Sequence, residues 1–380
     1  MGKIYLDNAA STKIWPEVLD ELTESYKNCF GNPSSTHREG QIAKKTLENS
    51  REIIAGLVGA EGKEIIFTSG GAEGNNLVLK GAAEAYSYKG KHIITSSIEH
   101  PTVLNTCIEL EENGYEITYI GVDEDGVINL EELKNALRKD TIIVSIMGVN
   151  NETGVIQPIN EIGRILSKTA VFFHVDAVQL VGKEIIYPKE SRVSAFTASA
   201  HKFYGPKGTG FVFLDKNFLV KKQISGGHQE RNRRAGTENV NSIFGMQRAL
   251  EMVYGNIFNE QRNEKKLHDY LEKRLKEEIK DIVINGECSN RLNTITSLTI
   301  RRCDVQTLIV ALDLRGIYVS AGSACMSGAF LESSVLKAMN LSKEDLRSTI
   351  RISIGKYNTQ EEIDIFIENL KEIVKIERGE

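Results

Sequence analysis

Between residues 64 and 215 the chain alternates regularly, and that alternation constrains its fold more than any other feature. Seven short runs rich in β-branched and aromatic residues (EIIFT from 64, HIITS from 92, YEITYI from 115, TIIVSIM from 141, VFFHV from 171, VSAFTAS from 193 and GFVFL from 210) are separated by polar or amphipathic intervals. Segments 101–113, 129–138 and 159–168 carry helical periodicity. Strands apolar on both pleat faces, spaced by helices, predict an α/β layer fold with a mostly parallel sheet. Further on, a charge-rich helical stretch from 238 to 280, broken near Tyr254-Gly255-Asn256, leads into a different order. Strands near 282, at 294–301, 317–320 and 349–354, with helices at 305–314 and from 360, predict a smaller α+β unit.

Ligands of an open α/β sheet collect beyond the carboxyl ends of its strands, so the residues just past each strand matter most. EIIFT is followed by Ser69-Gly70-Gly71-Ala72-Glu73 opening a helix, a turn whose backbone N–H groups and helix dipole suit an anion. Neither G-x-G-x-x-G nor the Lys-Ser/Thr of a Walker loop is there, which argues against a nicotinamide dinucleotide or a nucleoside triphosphate. HIITS is followed by Glu99-His100-Pro101, TIIVSIM by Asn150-Asn151, VFFHV by Asp176 and Gln179, and VSAFTAS by His201-Lys202. Taken singly, Asp176 reads as a cap or turn residue and Lys202 as one of 47 basic groups. Taken together, a phosphate cradle, a carboxylate for a protonated ring nitrogen, a His able to stack and a Schiff-base lysine are what pyridoxal phosphate requires.

Two further residues stand out. Cys325 sits in Ser320-Ala321-Gly322-Ser323-Ala324-Cys325-Met326-Ser327-Gly328, a run of small residues suited to an exposed thiol that moves, whereas the other cysteines read as packing groups in helical or strand-like surroundings. Arg351, in the otherwise apolar STIRISIG, is placed to clamp a carboxylate.

Composition narrows the function. Forty-seven basic residues against 52 acidic ones give a net charge of −5, which disfavours direct nucleic-acid binding. No apolar run reaches the roughly 18 residues of a membrane span, and MGKIYLDNAAST has neither a signal-peptide core nor, with Leu6, a myristoylation signal. A cytoplasmic location without membrane contact is the expectation. Five cysteines without a C-x-x-C pair suit a reducing compartment, and no His/Cys spacing suggests an intrinsic metal site.

The chain resembles the cysteine desulfurases of the NifS and IscS kind, pyridoxal-phosphate enzymes of the aminotransferase class V group. The likeness runs through YLDNAAST, NPSSTH (32–37), TSGGAEGNN (68–76), EHP (99–101), NNETG (150–154), VDAVQ (175–179), SAHKFYGPKG (199–208), RRAGTEN (233–239), GSAC (322–325) and RISIG (351–355). It implies an aminotransferase-like fold of type I: a large domain over 15–256 with a mostly parallel seven-stranded sheet, and a small α+β domain from 1–14 and 257–380 carrying the cysteine loop.

Carried onto this sequence, the resemblance makes Lys202 the Schiff-base lysine and α-proton base, His100 a proton-transfer group over the ring, and Cys325 the sulfur acceptor. Asp176 and Gln179 would hold the ring nitrogen and ring oxygen, and Asn151 ring or substrate. Gly71, Ala72, Ser199, His201 and, from a second subunit of a homodimer, Thr237 would hold the phosphate, and Arg351 the carboxylate of L-cysteine. The product sulfur would leave Cys325 as a persulfide for an acceptor protein, an iron-sulfur scaffold or a tRNA-thiolating enzyme, and Cys325 could ligate a transferred iron-sulfur cluster. The chain departs from the family at Ala72, where Thr is usual, at His228, where a third Gly is usual, and in FLESS (330–334), which lacks a common Pro. Selenocysteine lyase, another class V reaction, and a non-catalytic cofactor-binding partner protein are the alternatives.

Overall fold

The computed structural model of the chain describes residues 2–321 and 332–380. In chain order the first part comprises β1 (Ile4–Tyr5), α1 (Pro16–Asn28), α2 (Arg38–Leu57), β2 (Ile65–Thr68), α3 (Gly71–Tyr86), β3 (His92–Ser96), α4 (Pro101–Glu112), β4 (Glu116–Ile120), α5 (Leu130–Ala136), β5 (Thr141–Ser145), α6 (Ile159–Leu166), β6 (Phe172–Asp176), β7 (Ala195–Ser199) and β8 (Gly210–Leu214). Strands β2 to β8 form one seven-stranded sheet in the order β2-β8-β7-β6-β5-β3-β4. It is parallel except for β8, which runs antiparallel to both β2 and β7. The expected mostly parallel sheet is present, and all seven predicted strands fall in it.

Alternate residues of each strand feed two cores. Ile94, Val144, Val175, Phe196 and Phe211 pack on one face with residues of α1, α2 and the helix Val240–Gly255. Ile93, Ile143, Ala195 and Val212 pack on the other with Leu77 and Val78 of α3 and Val103 and Cys107 of α4. Both faces are covered, which is why these strands carry no polar alternation.

The rest of the chain adds a three-stranded antiparallel sheet, β12-β10-β9, from β9 (Ile282–Ile284), β10 (Ile295–Ile300) and β12 (Thr349–Ser353). A further strand, β11 (Ile317–Tyr318), pairs in parallel with β1. Bridges Asp7 to Ser353 and Ser320 to Arg351 join the two pieces. Their core, with Leu6, Leu275, Leu298, Ile350 and Phe366 at its centre, is separate from those of the large sheet. The helical stretch breaks where expected, between Val240–Gly255 and Ile257–Glu278. Two expectations change. Strand 317–320 is only two residues long, because Ser320 leaves β1 to pair with Arg351. Cys288 lies exposed in a turn, whereas Cys29, Cys107 and Cys303 are buried.

Among the described residues, no helix is long and apolar enough to cross a membrane.

Candidate functional site

The sheet order brings the singled-out residues to one rim. Thr68 of β2 and Ser199 of β7 both pair with Gly210, the first residue of β8, so the turn after β2 lies level with the end of β7. A Cβ on Gly210 would sit 2.8 Å from the Gly70 Cα, so only glycine allows the turn to close there. Gly70 itself has φ +147, outside the range of ordinary side chains, and a Cβ on it would lie 3.3 Å from the Ser199 Oγ. The turn then opens α3. The N–H groups of Gly71, Ala72 and Glu73 find no acceptor among the described residues, as in any first helical turn. Three converging donors, a dipole end and a buried Ser199 hydroxyl fit a phosphate monoester. Ala72 is exposed and lacks a hydroxyl, but its backbone N–H remains.

Asp176, at the end of β6, is buried; one carboxylate oxygen accepts from the Val178 N–H (3.0 Å) and the other from Asn75 Nδ2 (2.7 Å). This is a fixed carboxylate of the kind that holds a pyridinium nitrogen. Gln179 donates from Nε2 to the Ala9 carbonyl at 2.8 Å. Lys202, after β7, donates to the carbonyls of Ala9 and Ala10. Burial, and then the neighbouring Arg351 guanidinium, lower the Lys202 amine to about 8 against the partial opposition of Asp7 and Asp176. His201 Nδ1 lies 3.3 Å from the Ser11 hydroxyl, and burial with Lys202 and Lys207 lowers the ring to about 4.

His100 is the N-cap of α4, its Nδ1 accepting from the Thr102 N–H at 3.2 Å. Its side chain is exposed to solvent. Loss of solvation and the Lys202 charge lower its pKa, partly offset by Asp176. Beside it, Glu99 is fully buried; Oε1 accepts from the Ser96 hydroxyl (2.5 Å) and the Met147 N–H (2.8 Å), while Oε2 has no partner. Burial pushes the Glu99 carboxyl up to about 8.

On the small-sheet side, Arg351 is buried in β12. Its guanidinium donates to the Asn151 carbonyl (2.9 Å), to Asp7 Oδ1 (2.8 Å) and to the Ser320 hydroxyl (3.3 Å). Asn151 and Arg351 thus meet through the Asn151 backbone. Glu152, next in the chain, is buried and accepts from the Ser333 hydroxyl at 2.6 Å. Thr237 is exposed, in the segment following Arg234, whose guanidinium binds Glu73 (2.9 Å) at the start of α3. Cys325 lies outside the described residues.

Sequence reasoning passed over Asp7, Ala9, Ala10, Asn75 and Thr102. All but Thr102 fall within the quoted motifs YLDNAAST and TSGGAEGNN. Apart from Thr102, their part in the site comes from residues more than 90 positions away, as with Asn75 and Asp176 or Asp7 and Arg351, so spacing alone does not reveal it.

The chain resembles well-described proteins over almost its whole length. It is 43% identical over 373 residues to the cysteine desulfurase IscS of Dictyoglomus turgidum, covering 98% of this chain and 95% of that protein. Among solved structures, a NifS-like protein superposes with a TM-score of 0.93 at 36% identity, over 98% of this chain and all of the other. SspA in complex with cysteine superposes with a TM-score of 0.83 at 34% identity, over 94% of this chain and all of the other. The phosphate-shaped turn, the anchored carboxylate and the low-pKa lysine are therefore set in a sequence whose residues 4–366 match one family throughout, and the chain belongs to aminotransferase class V.

Proposed function

We propose that the chain is a pyridoxal-phosphate-dependent cysteine desulfurase, converting L-cysteine to L-alanine and passing the sulfur to Cys325. The observation that carries this reading is the meeting, on one rim, of a lysine lowered to about 8, a carboxylate fixed by two donors and a phosphate-sized turn, facing Arg351 from the second sheet. When bound, the cofactor supplies an electron sink for the substrate α-carbon.

The residues do the rest. Burial raises the unprotonated share of the Lys202 amine at pH 7 to about a tenth, several hundred times that of an ordinary lysine, and a carbonyl nucleophile and an α-proton base both need that form. Asp176 holds the ring nitrogen, and Gln179, whose Nε2 carries a second N–H, reaches the ring oxygen. Gly71, Ala72, Ser199 and His201 bind the phosphate, and Arg351 with Asn151 orients the substrate carboxylate. His100 would exchange a proton with the bound substrate. The net exchange balances: the carbon–sulfur bond of cysteine breaks, a sulfur–sulfur bond forms on Cys325, and the hydrogens of the two thiols end on alanine and the persulfide.

The same reading assigns residues 15–256 to a large domain and 1–14 with 257–380 to a small one, supported by the separate cores. It makes the molecule a cytoplasmic homodimer in which the exposed Thr237 reaches the phosphate of the other subunit. The persulfide goes to an acceptor protein serving iron-sulfur assembly or tRNA thiolation.

Purified holoprotein should release sulfide from cysteine under reductant, and Cys325→Ala should keep its visible absorbance while losing at least about 100-fold in release, as for removal of a covalent catalyst. Full release by Cys325→Ala would refute the reading, and turnover restricted to selenocysteine would replace the desulfurase with a lyase.

A further inference from the structure

We infer that Thr102 and Asn75 are positioning residues that hold His100 in a single neutral tautomer, with its proton on Nε2, and tie that choice to Asp176. The inference rests on the function proposed above and specifies how His100 begins its work there.

Four side chains form one hydrogen-bonded line. Asn75, fully buried in α3, donates from Nδ2 to Asp176 Oδ2 at 2.7 Å and to Thr102 Oγ1 at 2.9 Å. Turning the amide over would aim Oδ1 at the Asp176 carboxylate, so the carboxylate decides which end of Asn75 faces it. Both amide hydrogens are then committed, and Thr102 Oγ1 receives one of them. The Thr102 hydroxyl lies 2.9 Å from His100 Nδ1 and, already an acceptor from Asn75, is set to donate there. The Thr102 backbone N–H also points at Nδ1, 3.2 Å away. Two donors converge on one ring nitrogen, which must therefore be the lone-pair nitrogen.

A proton on Nδ1 would forfeit the bond from the Thr102 N–H, set two N–H groups against each other at the positive end of α4, and force the Thr102 hydroxyl to turn its hydrogen away and accept a second time. The charged groups facing the ring are Asp176, from the end of β6, and Lys202, from the turn after β7, which oppose one another. The lowered pKa of His100 agrees with this geometry without being needed for it.

The chemical consequence is directional. With the lone pair of Nδ1 occupied, the nitrogen left for the reaction is Nε2, and in the neutral ring it carries the hydrogen. His100 therefore enters the reaction as a hydrogen-bond donor; it can accept a proton only after giving that one up. Asp176 sets the direction of the line through Asn75, so Asp176, assigned to the ring nitrogen, and His100, assigned to proton transfer, are coupled through Asn75 on one side and Thr102 on the other.

The test is nitrogen-15 NMR on histidine-labelled holoprotein, with the His100 signals assigned by their loss in His100→Gln. At pH 7.5 the resonances should show Nδ1 unprotonated and Nε2 protonated. Thr102→Val keeps the backbone donor but removes the hydroxyl; with one donor to the Nδ1 lone pair gone, the His100 titration midpoint should rise. The kcat for sulfide release should fall about three- to tenfold with KM changed less than about twofold, as expected for losing one hydrogen bond. Thr102→Ser should return midpoint and rate toward those of the parent. A protonated Nδ1 in the parent, or a midpoint unmoved in Thr102→Val, overturns the inference. The tautomer is read without turnover, so either result leaves sulfide release, the test of the proposed function, standing on its own.

Discussion

Glu99 shows how a single residue next to the chemistry can be settled by burial. Its Oε1 accepts from Ser96 and Met147 and so ties the end of β3 to the end of β5, while Oε2 lies buried without a partner. An ionised carboxylate with one bare oxygen in an apolar setting is costly, so the carboxyl stays protonated in the folded protein up to about 8, against 4.5 ordinarily. Between those values the folded protein holds a proton that the unfolded chain has released. The associated stability is complete below about 4.5 and is lost as pH rises through about 8. Glu99→Gln keeps the acceptor for both donors and cannot titrate. Its melting temperature relative to the parent should therefore climb steadily from pH 5 to pH 8.5; a difference independent of pH would show that Glu99 is already ionised. Lys202, Asp176 and His100 were legible in the sequence because each lies at or within four residues of the end of an unmistakable strand. Asn75 and Asp7 were not, since a small polar residue acquires its role from whatever the fold sets against it.

At the scale of elements, the segment after β8 is the least expected feature. Glu230, Arg231 and Asn232 have φ of +44, +55 and +62, three consecutive left-handed residues without a glycine. Each costs about 1–3 kcal/mol, so neighbouring structure must hold them in place. Glu230 is buried and forms a two-pronged pair with the equally buried Arg51 of α2, 2.8 Å on both prongs, and accepts from the Phe67 N–H of β2. Arg234 then binds Glu73, which also caps the Ser69 N–H. The strained segment is thereby pinned to both sides of the phosphate-shaped turn. Arg51→Met leaves the Glu230 charge buried alone and should destabilise the holoprotein by about 3–5 kcal/mol, with the Arg51→Met/Glu230→Gln double variant recovering part of the loss in urea denaturation. A single variant within about 0.5 kcal/mol of the parent would show that the pair does not hold the segment. The strands of the large sheet and the helices read from periodicity lie within a residue or two of their observed bounds, whereas α1, α2 and the short helices Ser334–Ala338 and Lys343–Leu346 were not read. This segment was not readable either, because nothing local in HQERNRRAG signals a left-handed run: its conformation is imposed by Arg51, almost 180 positions earlier.

For the molecule as a whole, the N-terminal segment joins the two sheets. Ile4–Tyr5 adds to β11, Asp7 pairs with Arg351 and bridges to Ser353, and the carbonyls of Ala9 and Ala10 receive Lys202 and Gln179. One stretch of seven residues thus touches the groups assigned to substrate carboxylate, ring oxygen and Schiff base, which is why motifs at opposite ends of the sequence belong to one site. The α/β architecture was legible because strands covered on both faces cannot hide their apolar runs. The long-range contacts of this segment were not, since its own composition is ordinary. The account stands on Lys202 as the covalent anchor of the cofactor. Borohydride reduction of the holoprotein, followed by proteolysis and mass spectrometry, tests it most directly: the reduced cofactor should be found on the peptide containing Lys202 and nowhere else, and its attachment to any other side chain would contradict the account.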